Sequence, residues 1–316
     1  MATVREQDPA RGFGDRLSER SRPLRLFSIT PPRRATTPED LTRIADVTLE
    51  RVRDLELDAL VLYDIEDESD RNPALRPFPF VASLDPARFH ADYLRRWDRP
   101  VIIYRSVGKY DPTELKGWLA GQDPALVATV LVGASSRDSA VRTRLTEAQS
   151  LWRDTGSVVP LGAVAIPERH AHHNDEHDRM LAKQALGTSF FVTQVVYDLT
   201  WAKDLVSDYA YACRGQGREP AHVVFTLSVC GSTRTLEFLQ WLGVHVPRWL
   251  QNQLEHAEDP LSDSYEQCTG MARELAQFCR RLDVPFGFNI ESVSNRRVEI
   301  EATVRLAQHV RDLLAG

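Results

Sequence analysis

The chain has little of what would tie it to a disulfide framework, a membrane or nucleic acid. Its four cysteines, Cys213, Cys230, Cys268 and Cys279, lie far apart in 316 residues, with no CxxC pair and no zinc-finger spacing. That excludes a disulfide scaffold and a thiolate metal finger, and the four read as reduced core thiols of a cytoplasmic protein. No apolar run approaches the roughly 18 residues that a membrane helix needs, and no short apolar signal core stands near the start. Basic residues are outnumbered, 39 Lys and Arg against 45 Asp and Glu, for a net charge of −6. This balance argues against nucleic acid or an anionic membrane as partner and leaves a small molecule. A homo-oligomer is left open. Glycine-rich nucleotide loops are missing as well: the GFG at residues 12–14 follows no strand, and no GxSxG elbow occurs.

What is present is a regular alternation. Residues 1–23 mix Arg, Asp, Glu and Gly without periodicity and read as a mobile arm. Residues 24–316 then repeat one unit, a short β-rich run followed by a helical pattern. "LRLFSIT" precedes a helix opened by Thr37 and Pro38, and Asp85-Pro86 and Asp111-Pro112 open the next two helices in the same way. The later runs are "ATVLVG", "LGAVAIP", "FFVTQVV", "HVVFTLSV" and "FGFNIES", each with its helix. Two extra helices, near 247–257 and 262–282, precede the last strand. Strands alternating with helices imply parallel pairing with right-handed crossovers, and eight such units make a (β/α)8 barrel of the TIM type. A doubly wound sheet is disfavoured because no Gly-rich fingerprint follows the first strand.

In such a barrel the chemistry sits where strands run into the following loops. The strand ends here supply Ser28, Asp64, Ser135, Glu168, His170, Gln194 and Glu291. Gln194 stands out, because a primary amide inside the otherwise apolar "SFFVTQVVYD" costs about 1–3 kcal/mol unless a partner meets it. The run "ERHAHHNDEHD" carries four histidines, and His173 and His177, spaced four apart, could share a helical face for a metal. With no HExxH frame the run reads instead as a solvated face, and no metal-ligand set is assigned. The acidic "YDIEDESDRNP" reads as a solvated loop whose Asp64 adjoins the strand.

"FSITPPRR" on the first strand, "AIPERH" on the fifth, "GTSFFVTQVVYD" on the sixth, "VHVPRWL" after the seventh helix and "FNIESVSNRR" at the eighth resemble the methylenetetrahydrofolate reductase family, in order, from about residue 24 to 314. The resemblance implies a (β/α)8 barrel of one-carbon metabolism, on the route to methionine biosynthesis. Such a barrel reduces 5,10-methylenetetrahydrofolate to 5-methyltetrahydrofolate, usually through FAD and a nicotinamide hydride donor. Gln194 matches the family residue that hydrogen-bonds the pterin. His170, Lys183, Arg296 and Glu168 are what the resemblance leaves for cofactor binding.

The departures are as informative. The family's first strand carries a glutamic acid that opens the folate's imidazolidine ring, and Ser28 stands there instead. Ser135 replaces the aspartate at the fourth strand end, a flavin-contacting histidine is absent from "PVIIYR", and Ile166 replaces a tyrosine. The pterin side thus reads as retained at Gln194, with Ser28 and Ser135 as the further substrate-binding candidates, while the flavin side reads as eroded. That favours NAD(P)H reducing the folate directly, with FAD the disfavoured cofactor. The proton then needs a new source. Barrel closure places strand one beside strands two and eight, so Asp64 and Glu291 are the catalytic candidates, with Glu291 preferred because it lies within a strand run. The rival readings are a barrel that binds folate or pterin without reducing it, and a metal-dependent hydrolase or lyase using the histidine-rich run.

Overall fold

The computed structural model describes residues 12–67, 72, 74–134 and 141–315. Eight strands, β1 (Leu24–Ile29), β2 (Ala59–Leu62), β3 (Val101–Ser106), β4 (Val127–Val132), β5 (Leu161–Ala165), β6 (Thr188–Val195), β7 (His222–Ser228) and β8 (Phe286–Glu291), close into a barrel in sequence order. All neighbours are parallel, and β1 closes on β8 with Leu24 opposite Gly287 and Phe27 opposite Ile290. The sequence signals for helix starts hold. Thr37, Asp85 and Asp111 each accept a hydrogen bond from the first turn of a helix that begins with proline: α2 (Pro38–Val52), α3 (Pro86–Tyr93) and α4 (Pro112–Ala120). The remaining helices are α5 (Leu145–Asp154), α6 (Pro167–His173), α7 (Glu176–Ala185), α8 (Leu199–Gly215), α9 (Thr233–Trp241), the two inserted helices α10 (Arg248–His256) and α11 (Pro260–Leu282), and α12 (Arg297–Ala315).

Period-two geometry divides the apolar residues into two cores. Leu24, Leu26, Ala59, Val61, Ile102, Ala128, Val130, Phe190, Val192 and Val224 fill the barrel. Their strand neighbours, among them Phe27, Leu60, Leu62, Ile103, Phe191, Phe225 and Phe288, pack against the helices. The cysteines are free and buried, and burial pushes the thiols of Cys230, Cys268 and Cys279 up to about 12, so they are inert core groups.

The N-terminal reading needs correction. Residues 1–11 of the expected arm lie outside the described residues, but from Gly12 onward the chain is docked. Helix α1 (Phe13–Ser18) places the Phe13 ring, fully buried, edge-on to Phe190 with centroids 5.3 Å apart. Phe190 in turn occupies the space where Gly162 has no Cβ, since a Cβ there would lie 2.4 Å from its ring. Arg22 and the Arg25 amide hold Asp58 at 2.8 and 2.9 Å, fastening the segment beneath the barrel. A six-residue helix anchored by one aromatic leaves no periodic trace in sequence, which is why it reads as an arm.

Candidate active site at the barrel mouth

The inward positions of β1, β2, β7 and β8 turn polar at their C-terminal ends and join in one chain of hydrogen bonds. Ser28 Oγ donates to Asn289 Oδ1 at 2.6 Å. The Asn289 amide nitrogen donates to the Tyr63 hydroxyl at 2.9 Å and lies 3.3 Å from Thr226 Oγ1. Tyr63 donates onward to a carboxylate oxygen of Glu291. Ser28, Asn289 and Glu291 are all buried, Glu291 being 9% exposed. Among the described residues no cation pairs with Glu291; its partner is a phenol. Burial therefore dominates, and it pushes the Glu291 carboxyl up to about 7 against the opposing hydrogen bond from Tyr63. Tyr63 is itself held well above its ordinary value, first by burial and then by the Glu291 charge, so it stays a neutral donor.

Asp64 follows Tyr63 in the chain and faces the other way. Alternation along β2 turns Ala59, Val61 and Tyr63 inward and Leu60, Leu62 and Asp64 outward. The Asp64 carboxylate, its side chain 2% exposed, is occupied by Lys109 Nζ at 2.6 Å, the Ser106 amide at 2.8 Å and the Tyr110 hydroxyl at 2.7 Å. That hydroxyl also lies 2.9 Å from Asp85 Oδ2 and can donate to only one of the two carboxylates at a time. Arg105 completes the group, pairing with Asp85 at 2.9 Å while stacking over Tyr110. Asp64 thus fastens the β2 and β3 ends together, and its hydrogen bonds run to Lys109, Ser106 and Tyr110 rather than to Ser28.

Across the mouth, Gln194 sits on β6, two residues beyond Val192 on the same face. Its Nε2 donates to the Leu242 carbonyl at 3.0 Å, and among the described residues nothing donates to its Oε1. Glu168, on the first turn of α6, accepts from the His245 amide at 3.1 Å, so both side chains hold the loop between α9 and α10. The other Glu168 oxygen is buried without a partner, and burial raises this carboxyl. His245 is fixed by Asp198 at 3.0 Å and stacks on Trp201 at 3.8 Å. The sequence places Gln194 and Glu168 in separate motifs; the structure joins them through this loop.

The other cofactor candidates are engaged elsewhere. His170 is 2% exposed and bonds Asp208 of α8 at 3.2 Å. Lys183, its ammonium pKa lowered by burial, donates to the Val164 carbonyl at 2.8 Å. Arg296 spans Glu299 and the Gly231 carbonyl at 2.8 and 2.9 Å. Ser135 lies outside the described residues, as do residues 68–71 and 73 of the acidic loop. Helix α6 ends at Asn174, in the left-handed region, so His173 and His177 fall on different helices and do not share one helical face, in keeping with the reading that assigned them no metal. Sequence reasoning missed Tyr63, Asn289 and Thr226. Asn289 carried a signal, being two residues before Glu291 and therefore on its face.

No protein-family model matches the chain, and no curated protein matches it. Among solved structures, an uncharacterized protein from Clostridium thermocellum that binds two copies of 5-methyl-5,6,7,8-tetrahydrofolic acid is 38% identical over 95% of this chain and 98% of its own, with a TM-score of 0.82. The EDTA monooxygenase of Chelativorans sp. BNC1 superposes with a TM-score of 0.53 at 13% identity, over 93% of this chain and 94% of its own, a likeness of fold alone. No described helix is long and apolar enough to cross a membrane.

Proposed function

The chain belongs to the methylenetetrahydrofolate reductase-like family of (β/α)8 barrels, and from that premise we propose that it binds a reduced folate at the barrel mouth and passes a hydride from NAD(P)H to it. The observation that carries the reading is the Glu291 carboxyl, shielded from cations, pushed up to about 7 and linked through Tyr63 and Asn289 to Ser28. An acid with that pKa is half protonated near neutrality, as a general acid should be. In the proposed reaction Glu291 gives its proton to N10 of 5,10-methylenetetrahydrofolate as the N10–methylene bond breaks. The resulting N5 iminium takes hydride from C4 of the nicotinamide, yielding 5-methyltetrahydrofolate and NAD(P)+. Gln194 is placed to meet the pterin with its open Oε1, its other end anchored on Leu242.

The residues that resemble flavin contacts each already hold a protein partner: His170 Nε2 meets Asp208, Lys183 the Val164 carbonyl, and Arg296 Glu299 and the Gly231 carbonyl. This supports direct transfer between nicotinamide and folate. The test is anaerobic oxidation of NAD(P)H by methylenetetrahydrofolate with and without added FAD, alongside folate affinity. The proposal expects turnover without FAD, and Gln194→Ala weakening folate by about 1–3 kcal/mol in a folded protein. Folate binding with no nicotinamide oxidation would leave the second reading, a folate-binding barrel without reductase activity, which the replacement of the family's acid by Ser28 favours.

A further inference from the structure

The break at Asn174 separates His177 from His173 and presents it to two other residues. His170 on α6, His177 on α7 and Asp208 on α8 bring one donor atom each to within 4.8 Å of one another. The two imidazoles meet edge to face with centroids 5.2 Å apart, and His170 Nε2 stands 3.2 Å from Asp208 Oδ2. Donor atoms around a tetrahedral zinc are about 3.3 Å apart, so one edge is already at ligand spacing and the third donor needs to close by at most about 1.5 Å. The rings are also short of partners. His170, 2% exposed, keeps a buried Nδ1 with no hydrogen bond, and so does His177. A buried ring nitrogen without a partner is costly; at His177 Nδ1 a cation relieves it, whereas His170 offers the Nε2 that faces Asp208 and its Nδ1 lies across the ring.

We propose that His170, His177 and Asp208 form a divalent transition-metal site, of the borderline-soft class represented by Zn2+. Two neutral imidazoles and one carboxylate suit that class rather than Mg2+ or Ca2+, which prefer oxygen sets. Asp208, its side chain 45% exposed, forms the solvent side, where the ion enters and water completes the coordination. The ion ties α6, α7 and α8 together outside the barrel, apart from the Glu291 chain. Its effect at the mouth is indirect: α6 also carries Glu168, whose grip on His245 shapes the loop that Gln194 holds.

The test is metal uptake by the full chain after treatment with EDTA and dialysis, read by competition titration with Zn2+, by the visible absorption of Co2+ and by thermal melting. One ion per chain, Co2+ bands of four-coordinate nitrogen and oxygen ligation and a raised melting temperature are expected. His177→Gln and Asp208→Asn, neither fully buried, should each weaken Zn2+ at least tenfold. A double change of the exposed His172 and His173 to Gln should leave uptake intact. Absence of saturable uptake overturns the site. So does uptake that survives His177→Gln and Asp208→Asn, or uptake lost with His172 and His173. Because the readouts are metal binding and melting, failure here is separate from failure of the reductase reading.

Discussion

Tyr63 and Asp64 are consecutive residues, and they open onto two opposite electrostatic worlds. On the inner face, Tyr63 leads into a chain of neutral groups that ends at Glu291, a buried carboxyl with a phenol for company. On the outer face, Asp64 and Asp85 are surrounded by Lys109, Arg105 and a backbone amide. Both sectors bury carboxyl groups. The outer sector fixes them with cations and donors and holds the Asp85 carboxyl below its ordinary value, whereas the inner one makes ionisation of Glu291 costly and leaves a proton available near neutrality. The proposed chemistry rests on the uncompensated carboxyl.

The comparison can be broken most directly by removing each acid in turn. Glu291→Gln should preserve folate binding and lower turnover by about 10²–10⁴-fold, the usual contribution of a general acid. Asp64→Asn should leave turnover within about tenfold. If the two losses were equal in folded protein, the sectors would not be functionally distinct.

Stability against pH separates them next. Native Glu291 holds its proton to about pH 7, while in the unfolded chain it is released near 4.5. The native state therefore binds more protons in that window, and stability falls as pH rises through it. Glu291→Gln removes this penalty and should stabilise the protein at pH 8 by on the order of 2–3 kcal/mol, with little change at pH 4. Denaturant unfolding at the two pH values checks it; equal effects at both would mean that the carboxyl is not held protonated. Asp64→Asn should act oppositely, costing about 2 kcal/mol because an amide nitrogen would then face a donor, a loss visible in the same unfolding curves. The smallest effect belongs to Tyr63→Phe. Its hydroxyl holds the Glu291 carboxyl down against burial, so its loss should move the alkaline limb of the turnover profile to higher pH. A shift to lower pH would contradict the donor role of Tyr63.

How far the sequence was legible follows the same division of faces. The barrel and the proline-headed helices could be read, because caps and strand runs leave local patterns. Which face Asp64 takes could not, since Ala59–Leu62 is buried on both sides and its alternation of environment leaves no alternation of polarity. Phe13 was hidden by brevity, and the meeting of His170 with His177 by a helix break that only a left-handed Asn174 announces.

The Phe13 plug has a kinetic side. Among the described residues, Phe13, Phe190 and the apolar layer packed with them close the barrel beneath the inner carboxyl. Under the proposed reaction, reprotonation of Glu291 must come through the same opening that product occupies. Recharging of the acid then waits on product departure, and the step that empties the barrel also resets it for the next cycle.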